Sequence, residues 1–261
     1  MIILIILVGR YLLSLIVENL NISCASPVLP REFEGYYDTD TYKRSQNYLK
    51  EKTRFALIKD TIFTSVILAF MLVGGFNFVD NFARSFNLGP ILIGLIFIGA
   101  LILAIQLLNI PFSVYHTFVI EERYGFNRTD AKTFVLDILK RWLLGVVIGG
   151  IVFSVILWLF GKMGSSAWIY CWIAAAFFQL FLVFIEPIVI LPLFNKFLPL
   201  EDGKLKDTID EYTASENFKV KGVFKMDASR RSAESNAFFT GFGRFRRIVL
   251  FDTIIEGRIQ A

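Results

Sequence analysis

Few residues in this 261-residue chain have types and spacing able to support chemistry. His116 is the single histidine, and no second metal ligand stands at helical spacing from it, so a packing or surface role is expected. Cys24 and Cys171 form no CxxC pair and spell neither a disulfide framework nor a Cys/His metal site. Glu186 is an ionisable residue inside an apolar run, next to Pro187, and carboxylates placed within a membrane are functional suspects by default. Gln106 and Asn109 lie in another apolar run, where helix–helix hydrogen bonding is a better fit than a wet cavity. The densest charge is in Lys219–Arg247, with eight Lys/Arg against Asp227 and Glu234. Taken alone, that stretch is a juxtamembrane basic surface facing anionic headgroups. Phe238, Phe239 and Phe251 suit a buried sheet face better than a stacking platform for bases, so nucleic acid is not an expected partner.

The elements that must position these residues are mostly membrane helices. The chain is 55% hydrophobic and 19% charged, too apolar for an ordinary soluble domain. Five runs approach the ~20 apolar residues that a bilayer crossing needs. They are Met1–Leu20, Thr61–Val79, Ile91–Phe112, Leu143–Phe160 and Trp168–Phe194. The first carries Arg10 in its middle, which its many aliphatic neighbours can offset and which is expected to be paired or to snorkel. No basic region precedes Ile2, so the run does not read as a signal peptide. From Asp40 a helix is able to run unbroken into the second span. Between spans three and four, Thr129 is placed to cap a helix whose Phe134, Ile138 and Trp142 recur at every fourth position. That helix is expected to lie on the bilayer surface before the chain turns inward. Pro187 and Pro192 should kink or end the fifth span.

Charge decides the orientation. The polar loops Asn21–Asp60 and Ser113–Arg141 carry seven and five Lys/Arg, while Asp80–Pro90 and Gly161–Ala167 carry one each. The positive-inside rule places the first pair in the cytoplasm, the N-terminus outside and everything after Phe194 in the cytoplasm. Cys24 and Cys171 then fall at opposite faces and cannot bridge. Beyond the membrane, Glu201–Ser215 reads as an amphipathic helix with Leu205, Ile209 and Tyr212 on one face. Phe224–Met226, Ala237–Phe239 and Ile248–Phe251 read as short strands, with Gly241 and Gly243 punctuating the turn between the last two. The fold class is therefore a mainly α-helical integral membrane protein, with residues 1–195 as the membrane domain. Residues 196–261 form the start of a small α+β cytoplasmic domain.

The run DASRRSAESNAFFTGFGRFRRIVLFDTIIE, Asp227–Glu256, closely resembles the segment that precedes the zinc-binding helix of the type I CAAX prenyl proteases. FVIEERYGFN, Phe118–Asn127, resembles that family's loop after its third span, and LPLFNKFLPL, Leu191–Leu200, its exit from the fifth. The likeness runs from about Pro27 to Glu256, in the same order and with the same five spans. It implies a membrane zinc metalloendopeptidase that cuts prenylated or other membrane-associated proteins near their C-termini. It also implies that a substrate lies extended along an edge strand reading Asn-Ala-aromatic, here Asn236, Ala237 and Phe238. Asn236 would hold a substrate backbone group with its side chain, and Ala237 would offer its own carbonyl and N–H.

In the family, an HExxH helix supplies two zinc ligands and the general base, and a later Glu supplies the third ligand. This sequence contains no HExxH. The resemblance therefore implies no catalytic or metal residue within the chain, with the zinc ligands expected beyond Ala261, and the 261 residues alone would be inactive. The expected partners are a peptide or protein substrate and the lipid bilayer. The absence of long insertions favours a bacterial inner membrane, with the endoplasmic-reticulum membrane as the alternative. A non-catalytic scaffold that keeps the peptide-binding edge is a second reading. Transport through the helices, resting only on Glu186, Gln106 and Asn109, is a weaker third, because paired interrupted spans are missing.

Overall fold

Helix ends in the computed structural model fall where caps and breakers occur, and residues 2–241 and 246–259 are described. Backbone contacts divide the chain into Met1–Gly125 and Phe126–Ala261, each of which is described by itself.

In the first unit, α1 (Ile2–Cys24) is long enough, roughly 34 Å at 1.5 Å per residue, to cross a bilayer. It packs on α2 (Thr39–Leu72), where the Tyr11 and Thr61 hydroxyls lie 2.9 Å apart. Asp38 caps α2 by accepting the Thr41 amide and hydroxyl, both at 2.8 Å. The helix does run without a break from its charged first half into its apolar second half, as expected. It stops earlier than the expected Val79. Gly74 adopts a left-handed conformation (φ 76°), and a Cβ on Gly75 would come within 2.3 Å of the Phe70 ring. A short helix, α3 (Gly75–Arg84), follows, so much of the loop expected at Asp80–Pro90 is helical.

The third long helix, α4 (Pro90–Tyr115), continues through a π-helical turn, His116–Glu121, into the single turn α5 (Glu122–Tyr124). Residues 113–124, expected as loop, are therefore helical. The reason is that this turn is held on α2: the Tyr48 hydroxyl donates to Glu121 at 2.6 Å and the Tyr124 hydroxyl to Glu51 at 2.9 Å. Arg123 also pairs with Glu51. Gly125 (φ 79°) then ends the helix.

The second unit opens with α6 (Ala131–Met163), which corrects two expectations. Its cap is Asp130, not Thr129: Asp130 accepts the Thr133 amide at 3.1 Å. The surface helix and the fourth span are one continuous element, because no Pro interrupts Ala131–Met163, a lone Gly145 near the junction only weakens a helix, and propagation needs no new nucleation. A tight turn at Gly164–Ser166 leads to α7 (Ala167–Ile185). Pro187 lies in a π-helical turn, Glu186–Ile190, and α8 (Leu191–Phe194) ends the fifth span two residues past Pro192, the interruption and end expected from residues without an N–H. The crossing-length helices are thus α1, α2, α4, α6 and α7, the last two lying in one 64-residue apolar stretch broken at the tight turn. Their apolar side chains are widely exposed, as lipid-facing surfaces require.

The remaining elements form a four-stranded sheet with α9 (Lys204–Ser215). The strands are β1 (Phe197–Pro199), β2 (Gly222–Met226), β3 (Ala237–Thr240) and β4 (Arg247–Phe251), in the order β1-β2-β4-β3. β2 and β4 are parallel and the other two pairs are antiparallel. Sequence patterning misses β1, which is too short for alternation to show. Met226, Ala228 and Val249 form the buried core on one face, joined by Phe197, Phe224, Phe238 and Phe251. On α9, Tyr212 points outward and Thr213 is the buried residue beside Leu205 and Ile209, so the inward face is shifted by one residue from expectation. Gly241 does take positive φ (91°) after β3; Gly243 lies outside the described residues. A final helix, α10 (Asp252–Ile259), starts directly from β4.

Candidate substrate-binding edge

β3 is at the sheet edge, and hydrogen-bond parity decides what it presents. The Asn236 carbonyl accepts the Phe251 amide at 2.9 Å, so the backbone groups of Asn236, Phe238 and Thr240 point towards β4. Those of Ala237 and Phe239 therefore point away, to the open edge. Side chains alternate as well. Phe238 faces the core, edge-on to Phe251 at 6.2 Å, while Ala237 and Phe239 are exposed. Phe239, expected on a buried face together with Phe238, is 68% exposed, because neighbouring residues on a strand take opposite faces. It meets Phe218 edge-on at 5.9 Å over an apolar groove of about 710 Å³ between α9 and the sheet.

Asn236 is exposed, and its Oδ1 accepts the Ala237 amide at 2.8 Å. One outward donor of the edge is thereby occupied by its neighbour, which leaves the Ala237 carbonyl, both backbone groups of Phe239 and the Asn236 amide NH2 to meet a strand. The three residues singled out from the sequence are adjacent and ordered, but they differ in role: Asn236 and Ala237 face the edge, whereas the Phe238 ring supports the sheet from below. Phe239 is the edge residue that sequence reasoning missed. Its signal was present in period-two alternation, since it shares a face with Ala237.

Two polar clusters hold this edge in place, and neither was legible in the sequence. Asp252, buried at 5% exposure, accepts the Ser229 amide (2.8 Å) and hydroxyl (2.5 Å) and the Thr253 amide (2.9 Å). Arg231 forms a two-pronged pair with Asp137 of α6, through Nε at 2.7 Å and Nη2 at 3.0 Å, and donates from Nη1 to Asn195 at 3.0 Å. The basic stretch is thus less of a free collar than expected. Arg246 covers the Phe218 ring, Arg247 covers Phe224, and Lys225 lies 3.7 Å from Glu256; Arg244 is outside the described residues.

Among the described residues, no group of three His, Cys, Asp or Glu side chains could hold a metal. His116 lies 3.4 Å from Glu121 at the π-helical turn, and Cys24 and Cys171 are both free. Glu186 is exposed, and no side-chain hydrogen bond joins Gln106 or Asn109 to another described residue.

Comparison with known proteins agrees with membrane helices followed by the start of a peptidase domain. Residues 19–196 match the family model described as "CAAX prenyl protease N-terminal, five membrane helices", and residues 199–258 match peptidase family M48. The chain is 36% identical over 271 residues to the probable CAAX prenyl protease 1 of Schizosaccharomyces pombe, covering 97% of this chain and 56% of that protein. It is 35% identical over 236 residues to the CAAX prenyl protease 1 homolog of Mus musculus, covering 87% and 50%. The crystal structure of S. mikatae Ste24p superposes with a TM-score of 0.90 at 32% identity, covering 97% of this chain and 61% of that one. The chain spans about half the length of the curated relatives it matches. With both of its parts matched in order, this integral multi-pass membrane chain belongs to the CAAX prenyl protease family of M48 metallopeptidases.

Proposed function

We propose that this chain supplies the membrane anchor and the substrate-holding strand of a zinc metalloendopeptidase that cleaves prenylated or other membrane-associated proteins near their C-termini. The observation that carries the reading is the open edge of β3. A peptide laid along it gains backbone hydrogen bonds from Ala237 and Phe239, and the small Ala237 side chain lets it approach closely. Asn236 adds an amide NH2 for a substrate carbonyl. The sheet face behind is packed by Phe238 and Phe251, so the edge is held by a core rather than by a loop.

The M48 family is a metallopeptidase family, and zinc is the metal we assign. When bound, zinc polarises a scissile carbonyl and lowers the pKa of its water. The residues described here do not make such a site: the one histidine, His116, has Glu121 beside it but no third ligand to complete a group. This chain's own residues bind and orient the peptide. We place residues 1–195 in the membrane part and 196–261 in the peptidase part, with the sheet on the cytoplasmic side. The relatives come from yeasts, plants and animals, which supports an endoplasmic-reticulum membrane over a bacterial one.

The test uses protein expressed from its native gene. We expect stoichiometric zinc, cleavage of a prenylated peptide with a CAAX end, and loss of cleavage on chelation. Asn236→Ala should lower turnover by roughly tenfold, about 1.4 kcal/mol for one lost hydrogen bond, with zinc content unchanged. Unchanged activity would remove Asn236 from the site. A native product that binds the peptide but neither holds zinc nor cleaves would make the chain a peptide-binding scaffold instead.

A further inference from the structure

Arg231 lies in the segment leading into β3, yet its side chain reaches a helix ninety-four residues earlier in the sequence. Its guanidinium is 21% exposed and the Asp137 carboxylate 12%, so this pair is largely out of water. Both prongs of the guanidinium fork meet both carboxylate oxygens, a geometry that Lys cannot reproduce. The third nitrogen grips Asn195, the residue directly after α8. The Arg231 carbonyl is also occupied, accepting the Arg128 amide at 3.1 Å and the Thr129 hydroxyl at 3.0 Å. Next to it, Ser232 bridges to Asn127, and the Ala233 amide donates to the Phe126 carbonyl at 2.9 Å. The path into the edge strand is thus pinned at the start of α6 and at the exit of the fifth span. The other end of that path is tied to the sheet, where the Thr253 hydroxyl donates to the Glu234 carbonyl at 2.8 Å.

We propose that Arg231, clamped by Asp137 and Asn195, is a positioning residue that sets where the β3 edge begins relative to the ends of α6 and α8. The ion pair touches no substrate. It acts through Ser232–Asn236 to hold the rail in one register against the membrane helices. A peptide tethered in the bilayer by its own lipid is then met at a fixed height. Asp137 and Asn195 come from different helical segments, so the clamp also ties the fourth span to the exit of the fifth. This inference rests on β3 being the peptide rail.

The test compares wild type, Arg231→Lys, and Arg231→Lys combined with Asp137→Glu, all expressed from the native gene. Three measurements are made: zinc content, cleavage of a prenylated CAAX peptide, and amide exchange over residues 232–240. Lys keeps the charge but loses the fork, so the variant is chosen to fold. We expect its zinc content to match wild type, its exchange at 232–236 to rise at least tenfold, and kcat to fall about ten- to a hundredfold. KM should stay within about twofold, because the edge still pairs with peptide. Asp137→Glu lengthens the acidic side chain towards the shorter reach of the ammonium, and it should recover at least threefold of the lost kcat, which a general stability defect would not allow. If Arg231→Lys leaves both exchange and kcat unchanged, or lowers kcat without rescue by Asp137→Glu, the positioning role is overturned. If wild type itself fails to cleave, the protease reading fails separately, and unchanged exchange at 232–236 in the variant still overturns the clamp.

Discussion

Asp252 offers the most quantitative check on how the edge is held. It sits at the junction of β4 and α10 at 5% exposure and accepts three hydrogen bonds, two of them from Ser229. The Thr253 bond is local and shares Oδ1 with the Ser229 amide, so the long-range tie consists of the two Ser229 bonds. Each bond to a charged acceptor contributes about 1.5–3 kcal/mol, but Ser229 is only half-buried and water can replace part of the loss. Asp252→Ala should therefore cost about 2–4 kcal/mol of local opening free energy. Asp252→Asn keeps an oxygen for the Ser229 amide and turns the hydroxyl contact round, its NH2 donating to Ser229 Oγ. Charge assistance is lost but both bonds remain, which should cost about half as much. A multi-pass membrane protein does not unfold in one reversible step, so native-state amide exchange is the suitable assay. The Ala variant should speed exchange at Ser229–Arg231 and in β4 by roughly 30- to 700-fold, and in α7 not at all. The reasoning is refuted if the Ala and Asn variants behave alike with changes under about threefold, or if exchange rises equally in the membrane helices.

Two more outcomes follow from the same sheet and its neighbouring helix. Val249 is 1% exposed at the centre of the core, so Val249→Ala should cost about 1.5–3 kcal/mol, while Phe239→Ala, at 68% exposure, should cost about 0.5 kcal/mol or less. Exchange in β2, which pairs with β4, reads the difference, and the reverse order would contradict the assignment of faces. At the start of α6, the hydroxyl and amide of Thr133 hold the Asp130 carboxyl below its ordinary value. A lowered native pKa stabilises above the unfolded value of about 3.9, and the benefit disappears as pH falls through the native one. Asp130→Ala should therefore speed exchange at Thr133 and Phe134 at about pH 7, with the gap to wild type closing in acid below that range.

The sequence alone determined the membrane class, the number of crossing helices, the family and the position of the Asn-Ala-Phe strand. These are local sums or short motifs: apolar residues add along a span, prolines act on their own helix, and a strand's residues are consecutive. Tertiary structure decided the rest. Whether the helix at Phe134–Trp142 is separate from the fourth span depends on a missing breaker rather than on periodicity, and the expected turn does not occur. β1 has three residues and is visible only through its pairing with β2. Which of Phe238 and Phe239 faces outward follows from the register with β4, not from their type. Arg231 reads as one base in a basic run, because its partner Asp137 lies far back in the sequence and nothing in the spacing links them. Local patterns set the elements and the edge motif; long-range pairing determined which backbone groups of that edge point away from the sheet and what holds it in place.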